Sequence, residues 1–193
     1  YGSTRIVFGK DITNSYSSPS VAENNPTTIL VKVSHVAARL DFSQFDVTLK
    51  GFEGNPTVVF DEAKFVNLQQ NGKIVEGDAS VNVKDGAFLN RSNRIGTRWT
   101  DMGTAYGYAN QYRQDSEMNT ALYVKFTVDG RTFEKTYPIN PAGITKEVDH
   151  NGIKGGYLYD IKVRWTITPD WGDSTIEFYT RDWVHNSIPE IVL

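Results

Sequence analysis

Cysteine is absent from the 193 residues of this chain. Its absence excludes a disulfide framework, thiolate metal sites and cysteine nucleophiles. Long apolar runs are also missing, since the longest covers only residues 121–124, too few to span a bilayer. Basic charge is not in excess, because 20 Lys and Arg stand against 23 Asp and Glu. We therefore expect no nucleic-acid partner and no membrane insertion of this segment.

Good apolar helix formers are scarce. Ala, Leu and Met together supply 20 residues, whereas Val, Ile and Thr supply 49 and the aromatic residues another 24. Branched and aromatic side chains suit a pleated, half-buried surface. The composition therefore predicts an all-β protein.

Short alternating segments separated by turn signals predict an antiparallel β-sandwich with long loops, of the transthyretin-like or Greek-key type. Residues 1–26 are rich in Ser, Asn and Pro, which predicts an irregular N-terminal segment or linker. The β-sandwich domain is predicted to cover residues 27–193. Two alternations mark its inward faces, one at Ala38, Leu40 and Phe42 and the other at Tyr159, Ile161, Val163, Trp165 and Ile167.

The clearest local prediction is a hairpin around Asp129-Gly130, since this dipeptide tolerates the positive φ that tight hairpin turns require. A two-residue turn there places Phe126 opposite Phe133. It also pairs Lys125 with Glu134, Thr127 with Thr132 and Leu122 with Tyr137. Matched pairs of this kind stabilise antiparallel ladders by roughly 0.2–1 kcal/mol each.

Residues that could carry catalysis do not form a known pattern. His35, His150 and His185 lie far apart without metal-ligand spacing, and no nucleophile elbow is present. Carboxylates such as Asp61 and Glu62 would suit a hydrolase only if they faced each other across a cleft. We predict no enzyme activity, no catalytic residue, no metal and no cofactor.

Residues 90–120 interrupt the strand pattern and combine arginines with aromatic residues. A connection of this length in a compact domain is usually functional or mobile. Arg and Tyr are enriched at binding hot spots, and a sugar ring can stack on Tyr or Trp. Either this loop binds a ligand or its aromatic residues pack onto the sandwich. Its candidate ligand residues are Arg94, Arg98, Trp99, Tyr106, Tyr108 and Tyr112.

The last ten residues, 184–193, are unusually apolar for a chain terminus. Such a segment either packs on its own domain or adds as a strand to another molecule, where alternate side chains fill pockets. The residues that would contact a partner are Val184, Ile188, Ile191, Val192 and Leu193, while Pro189 would interrupt backbone pairing.

Three phrases of the sequence resemble the C-terminal domain of fimbrillins from the type V pili of Bacteroidales. Residues 33–42, VSHVAARLDF, resemble the strand that opens that domain. Residues 155–163, GGYLYDIKV, resemble its late strand, and residues 181–184, RDWV, resemble the phrase before its terminal tail. The three occur in family order and cover the chain from about residue 33 to the end.

The resemblance implies a structural subunit of an extracellular, outer-membrane-associated fimbria that supports adhesion. Such pilins are exported as lipoprotein precursors, trimmed by an arginine-specific protease and polymerised by strand exchange. The implied partners are other pilin subunits, with a host protein or glycan as a further candidate. On this basis residues 184–193 would be the donor strand, and the chain would be a mature fragment or the C-terminal domain alone. The alternative function is a carbohydrate- or protein-binding β-sandwich adhesin module that uses residues 90–120.

Overall fold

A computed structural model describes residues 36–72, 82–86, 94–141, 150–170 and 174–182, with no side-chain description for Arg94 or for residues 174–182. These residues form twelve strands and no helix. The strands are β1 (Ala37–Leu49), β2 (Val58–Val66), β3 (Leu68–Gln69), β4 (Val83–Lys84), β5 (Arg94–Ile95), β6 (Arg98–Tyr108), β7 (Asn110–Gln111), β8 (Ala121–Val128), β9 (Arg131–Pro138), β10 (Gly152–Ile153), β11 (Tyr157–Ile167) and β12 (Ser174–Asp182).

Two four-stranded sheets form the sandwich. The first sheet has the order β12-β11-β1-β6 and the second has the order β5-β2-β8-β9. Two short pairs, β10-β7 and β3-β4, complete the described strands. The predicted all-β sandwich is confirmed. The prediction for residues 1–26 and the domain boundary at residue 27 fall outside the described residues.

One pairing in the first sheet is parallel, although the sequence predicts an antiparallel sandwich. β1 and β11 run parallel, while β1 with β6 and β11 with β12 are antiparallel. Parallel neighbours cannot be joined by a hairpin and need a crossover connection. Between β1 and β11 the chain forms the strands of the second sheet, and this long connection is the crossover that the parallel pair requires.

The core lies between the two sheets and is centred on aromatic residues. Phe45 of β1 is fully buried, and its ring centroid lies 5.5 Å from that of Phe60 and 5.3 Å from that of Phe126. Phe126 in turn lies 4.9 Å from Trp165, edge to face. Because Phe60 and Phe126 belong to the second sheet, these contacts hold the two sheets face to face.

A bulge in β1 explains why its inward residues change phase. Ala38, Leu40 and Phe42 are fully buried, and the next inward residue is Phe45, not residue 44. The pairing of β1 with both neighbours shifts between Phe42 and Gln44. The extra residue inserted by a β-bulge moves the following side chains to the other face, so one strand joins two alternating segments of opposite phase.

The hairpin at Asp129-Gly130 has the predicted register throughout. Phe126 pairs with Phe133, Lys125 with Glu134, Thr127 with Thr132 and Leu122 with Tyr137. Asp129 and Gly130 have φ values of 44° and 82°, as the two-residue turn requires. The Asp129 carboxylate also accepts a hydrogen bond from the Thr57 N–H at 2.7 Å.

Candidate functional site

The prediction that residues 90–120 form one long connection is wrong for residues 98–108. These residues form β6, an edge strand of the first sheet that pairs with β1 along its length. The alternation is hidden in the sequence because Asp101 and Gly103, at φ 53° and 146°, interrupt the strand opposite the β1 bulge. The inward positions beyond this point hold Gly and Ala in place of branched residues.

Trp99 belongs to the core and not to a surface site. Its side chain is 5% exposed, and its ring lies 5.4 Å from Phe45 and 5.7 Å from Phe60. Arg98, its exposed neighbour, points to the opposite face, where its Nε lies 3.6 Å from Asp46 Oδ1. Arg94 lies in β5 of the second sheet, paired with Phe60. The structure therefore separates these three predicted ligand residues.

The three predicted tyrosines are also divided. Tyr106 is 58% exposed on the outward face of the first sheet. Tyr108 is half-buried, and its ring lies against the backbone of Gly72, where a Cβ would overlap the ring. Tyr112 is half-buried and donates its N–H to Asn151 O at 3.3 Å. Tyr106 is thus the member of the set that a surface ligand can reach most easily.

Tyr106 lies beside charged residues of β1 that the sequence had not singled out. Arg39 and Asp41 are the Cα partners of Tyr106 and Thr104. The Arg39 Nε donates to Asp41 Oδ1 at 2.8 Å, and the Thr104 hydroxyl donates to the same oxygen at 2.7 Å. This hydrogen bond and the charge of Asp41 raise the pKa of Arg39. The arrangement holds the Arg39 side chain against Asp41, on a strand position opposite the exposed Tyr106.

A second carboxylate lies on the other side of Asp41. Asp160 of β11 is the Cα partner of Asp41 in the parallel pairing. Its Oδ1 is buried and has no hydrogen-bond partner among the residues that the structure describes. We call Arg39, Asp41, Thr104, Tyr106 and Asp160 the outer patch. The alternation of the sequence indicates only that these side chains face outward. The parallel pairing that joins Asp160 to Asp41 cannot be inferred from a local sequence pattern.

One end of the sandwich is held together by a buried amide network. Asn110 donates to Met118 O at 2.9 Å and to Thr120 Oγ1 at 3.0 Å, and Arg113 Nη2 donates to Asn110 Oδ1 at 3.0 Å. Asn140, fully buried, donates to the carbonyls of His150 and Gly152. Because buried polar groups are costly unless satisfied, these bonds rigidify the loops at this end.

The same end is where the chain enters and leaves the first sheet. β1 begins at Ala37 opposite Tyr108, the last residue of β6. β11 begins at Tyr157 opposite Asp182, the last residue of β12. We call this end the entry pole. The segment after β12, with the predicted donor residues Val184, Ile188, Ile191, Val192 and Leu193, lies outside the described residues.

The outer face of the second sheet carries a different polar group. The Tyr123 hydroxyl donates to Glu134 Oε2 at 2.8 Å across the β8–β9 hairpin. Burial of the phenol and this hydrogen bond raise the pKa of Tyr123 to about 12. Tyr123 and the outer patch lie on opposite outer faces, so they cannot form one site.

In the described ranges no three or more His, Asp or Glu side chains are grouped as a metal would require. The part of the chain that the structure covers also contains no helix suited to crossing a membrane.

Comparison with known proteins gives structural likeness without sequence likeness. No protein-family model matches the chain, and no curated protein matches it. The structure is similar to that of a candidate cell adhesion protein from Parabacteroides distasonis, with a TM-score of 0.60 and 20% identity. That match covers 78% of this chain and 52% of the other, so the chain spans about half the length of the protein it matches. It shows a shared fold.

Two further structures share less of the geometry. The tip fimbrial protein Mfa3 from Porphyromonas gingivalis matches at 11% identity and a TM-score of 0.45, over 78% of this chain and 52% of that one. A candidate cell adhesion protein from Bacteroides eggerthii matches at 14% identity and the same TM-score, over 78% and 56%. Likeness at this level carries no argument about function.

Proposed function

We propose that this chain is a structural subunit of an extracellular fimbria of the Bacteroidales type V kind. The main support is that the three sequence phrases that resemble fimbrillins lie on adjacent strands of one sheet. The resembling phrases at residues 33–42, 155–163 and 181–184 contain residues of β1, β11 and the end of β12. Leu158 pairs with both Arg39 and Arg181, so the phrases meet on three adjacent strands. Sheet pairing of this kind ties the three phrases to one structural unit.

The fold comparison supports the same proposal. The sandwich resembles that of a candidate cell adhesion protein at a TM-score of 0.60. By analogy, the chain would lie at the cell surface in an outer-membrane-associated fimbrium, with other pilin subunits as its partners and a host protein or glycan as a further one. Fold analogy alone does not define function, and the three paired phrases therefore carry the greater weight.

We also propose that the chain is not an enzyme. Arg39 and Tyr123 are the described residues whose pKa values clearly shift. The hydrogen bond to Asp41 is the main cause for Arg39, whereas burial and then the hydrogen bond to Glu134 are the main causes for Tyr123. The two residues lie on the outer faces of different sheets. Catalytic groups with shifted pKa values usually converge in one cleft. A scaffold role accounts for both residues without such a cleft.

Assembly is proposed to occur by strand donation from residues 184–193 to a neighbouring subunit. β12 is an edge strand of the first sheet and ends at Asp182, so the donor segment follows directly from a sheet edge. Backbone pairing would supply affinity, and Ile188, Ile191 and Leu193 would fill the acceptor groove. The amide network at the entry pole would give the donor segment a rigid base.

Point substitutions in the donor segment test strand donation. In the full-length, trimmed subunit, replacing Ile188 and Ile191 together by Asp should abolish polymers seen by electron microscopy, because buried unpaired charges are costly. Pro189→Ala is the matched control, since it removes the interruption in backbone pairing and should leave polymers intact. Polymers of normal length from the double Asp variant would contradict strand donation.

Immunogold microscopy tests the fimbrial role itself. Antibodies raised against the whole chain should decorate filaments outside the producing cell. Label confined to the cell interior, or to a filament-free surface, would contradict it.

A second candidate function is a binding module, and the exposed Tyr106 beside Arg39 favours it. This function needs only a surface site, so it is compatible with a fimbrial subunit. The binding residues of this function would be those of the outer patch and not the full predicted set in residues 90–120, because Trp99 is buried and Tyr112 lies at the entry pole.

A further inference from the structure

Strand β9 forms one edge of the second sheet. Among the described strands it pairs with β8 alone. Just beyond this ladder, the Ile139 N–H donates to Thr120 O at 2.9 Å, and hydrogen-bonded pairs alternate along an antiparallel ladder. The backbone N–H and C=O groups of Thr132, Glu134 and Thr136 therefore point away from β8. All three residues are exposed, so these groups could pair with an added strand.

The row of β9 side chains that faces the first sheet contains two cations. Arg131 and Lys135 lie opposite Val128 and Val124, which are both fully buried in the core. In contrast to these valines, both cations are exposed. The edge strand therefore carries charge at positions where the neighbouring strand carries core residues.

Each cation lies over an aromatic ring of its own strand. Arg131 Cζ is 5.7 Å from the centroid of the Phe133 ring, and Lys135 Nζ is 5.3 Å from that of Tyr137. A ring face attracts a cation that still keeps contact with water. A strand added to β9 would remove this water from both cations, and burial of an unpaired charge is costly.

Pro138 removes a hydrogen-bond donor from the end of the same edge. It pairs with Ala121, and the alternation of the ladder places its nitrogen on the side away from β8. Proline has no N–H to offer an added strand there. The edge strand β6 of the first sheet is interrupted in a different way, by positive φ values at Asp101 and Gly103.

We propose that Arg131, Lys135 and Pro138 are specificity residues that prevent β9 from pairing with a strand of a second copy of this chain. Natural sheets use inward-pointing charges and proline to keep their edges from pairing. Without these residues, two copies could join their second sheets through the open groups of β9. The inference concerns the isolated chain and does not depend on the proposed fimbrial role.

Hydrogen exchange on the full native chain, followed by NMR, tests whether the edge is open. The amides of Thr132, Glu134 and Thr136 should exchange about tenfold or more faster than those of Phe133 and Lys135, because only the second set donates to β8. Equal protection of the two sets would show that the edge is already paired, and this result would overturn the proposal.

Removal of the three residues tests their role. The triple variant Arg131→Thr, Lys135→Thr and Pro138→Thr replaces them with a residue of good β propensity. In sedimentation velocity over a concentration series, it should associate about tenfold or more tightly than the native chain. In the associated variant, the amides of Thr132, Glu134 and Thr136 should become protected. Association equal to that of the native chain, or association without this protection, overturns the proposal.

Lys50→Thr combined with Lys84→Thr is the matched control. Both lysines are exposed and lie outside β9, and the pair removes the same charge as the triple variant. The control should associate no more than the native chain, and an equal gain in association would assign the effect to net charge and overturn the proposal. If the triple variant does not fold, Lys135→Thr alone takes its place, with the same two outcomes.

The amide readout separates this inference from fimbrial assembly. Strand donation by residues 184–193 uses another segment of the chain, so its failure leaves the exchange rates and the association of the β9 variants unchanged. Failure of the β9 prediction equally leaves the donor-segment experiments valid.

Discussion

Removal of the Phe45 ring tests the packing of the two sheets. Phe45 is fully buried and contacts four rings, with centroid distances of 6.4 Å to Phe42, 5.5 Å to Phe60, 5.4 Å to Trp99 and 5.3 Å to Phe126. Burial of a Phe side chain lost to Ala costs about 3–5 kcal/mol. Aromatic pairs add about 0.5–1.5 kcal/mol each beyond area burial. We therefore expect Phe45→Ala to cost about 4–5 kcal/mol, at the upper end of the range.

That cost approaches the whole stability of many domains, about 5–15 kcal/mol, so Phe45→Leu is the companion variant. It keeps most of the volume, loses the ring pairs and should cost about 1.5–3 kcal/mol. Urea unfolding followed by tryptophan fluorescence measures both. Tyr106→Ala is the control and should stay within about 0.5 kcal/mol of the native chain. A loss below about 1.5 kcal/mol in Phe45→Ala would refute the sandwich packing.

Two further predictions concern the second sheet. Gly130→Ala should lower the free energy of unfolding in urea by about 1–2 kcal/mol, because φ is 82° and only backbone strain opposes a Cβ that meets no atom within 4 Å. Gly96→Ala is the control. Equal losses of stability in the two variants would contradict the turn assignment. Tyr123 has a pKa raised to about 12 in the fold, against about 10 unfolded, so the neutral phenol stabilises the fold fully below pH 10 and this contribution is lost as pH rises from 10 to 12. The stability difference between the native chain and Tyr123→Phe should therefore shrink over pH 10–12 in urea unfolding, and a constant difference would contradict the raised pKa of Tyr123.

The β8–β9 hairpin shows what a sequence can reveal. Its pairs, such as Lys125 with Glu134, are near neighbours in the chain, and one turn dipeptide fixes all of them. The inward faces of β1 and β11 were also predictable, because period-two burial is a local property. The bulge after Phe42 was not, since it depends on two partner strands at once.

The outer patch shows where sequence reasoning stops. Tyr106 is a candidate from sequence because residues 90–120 combine tyrosines with arginines, which are enriched at binding hot spots. Arg39 lies opposite Tyr106 in the antiparallel pairing of β1 with β6. Asp160 comes from β11, which is remote in sequence and meets β1 by parallel pairing. The burial of Trp99 agrees with the alternative that aromatic residues of 90–120 pack onto the sandwich. Its core contact with Phe45 is not visible in the sequence, because Asp101 and Gly103 interrupt the alternation of β6.

Deletion of residues 190–193 from the full-length, trimmed subunit tests the central claim most directly. Gel filtration and electron microscopy report assembly, and the thermal midpoint reports folding. If the segment is an intermolecular donor strand, polymers disappear while the midpoint stays within about 2 °C, because a strand given to a neighbour contributes nothing to its own domain. A large fall in the midpoint, or polymers that form regardless, would contradict strand donation and assign the segment to ordinary packing.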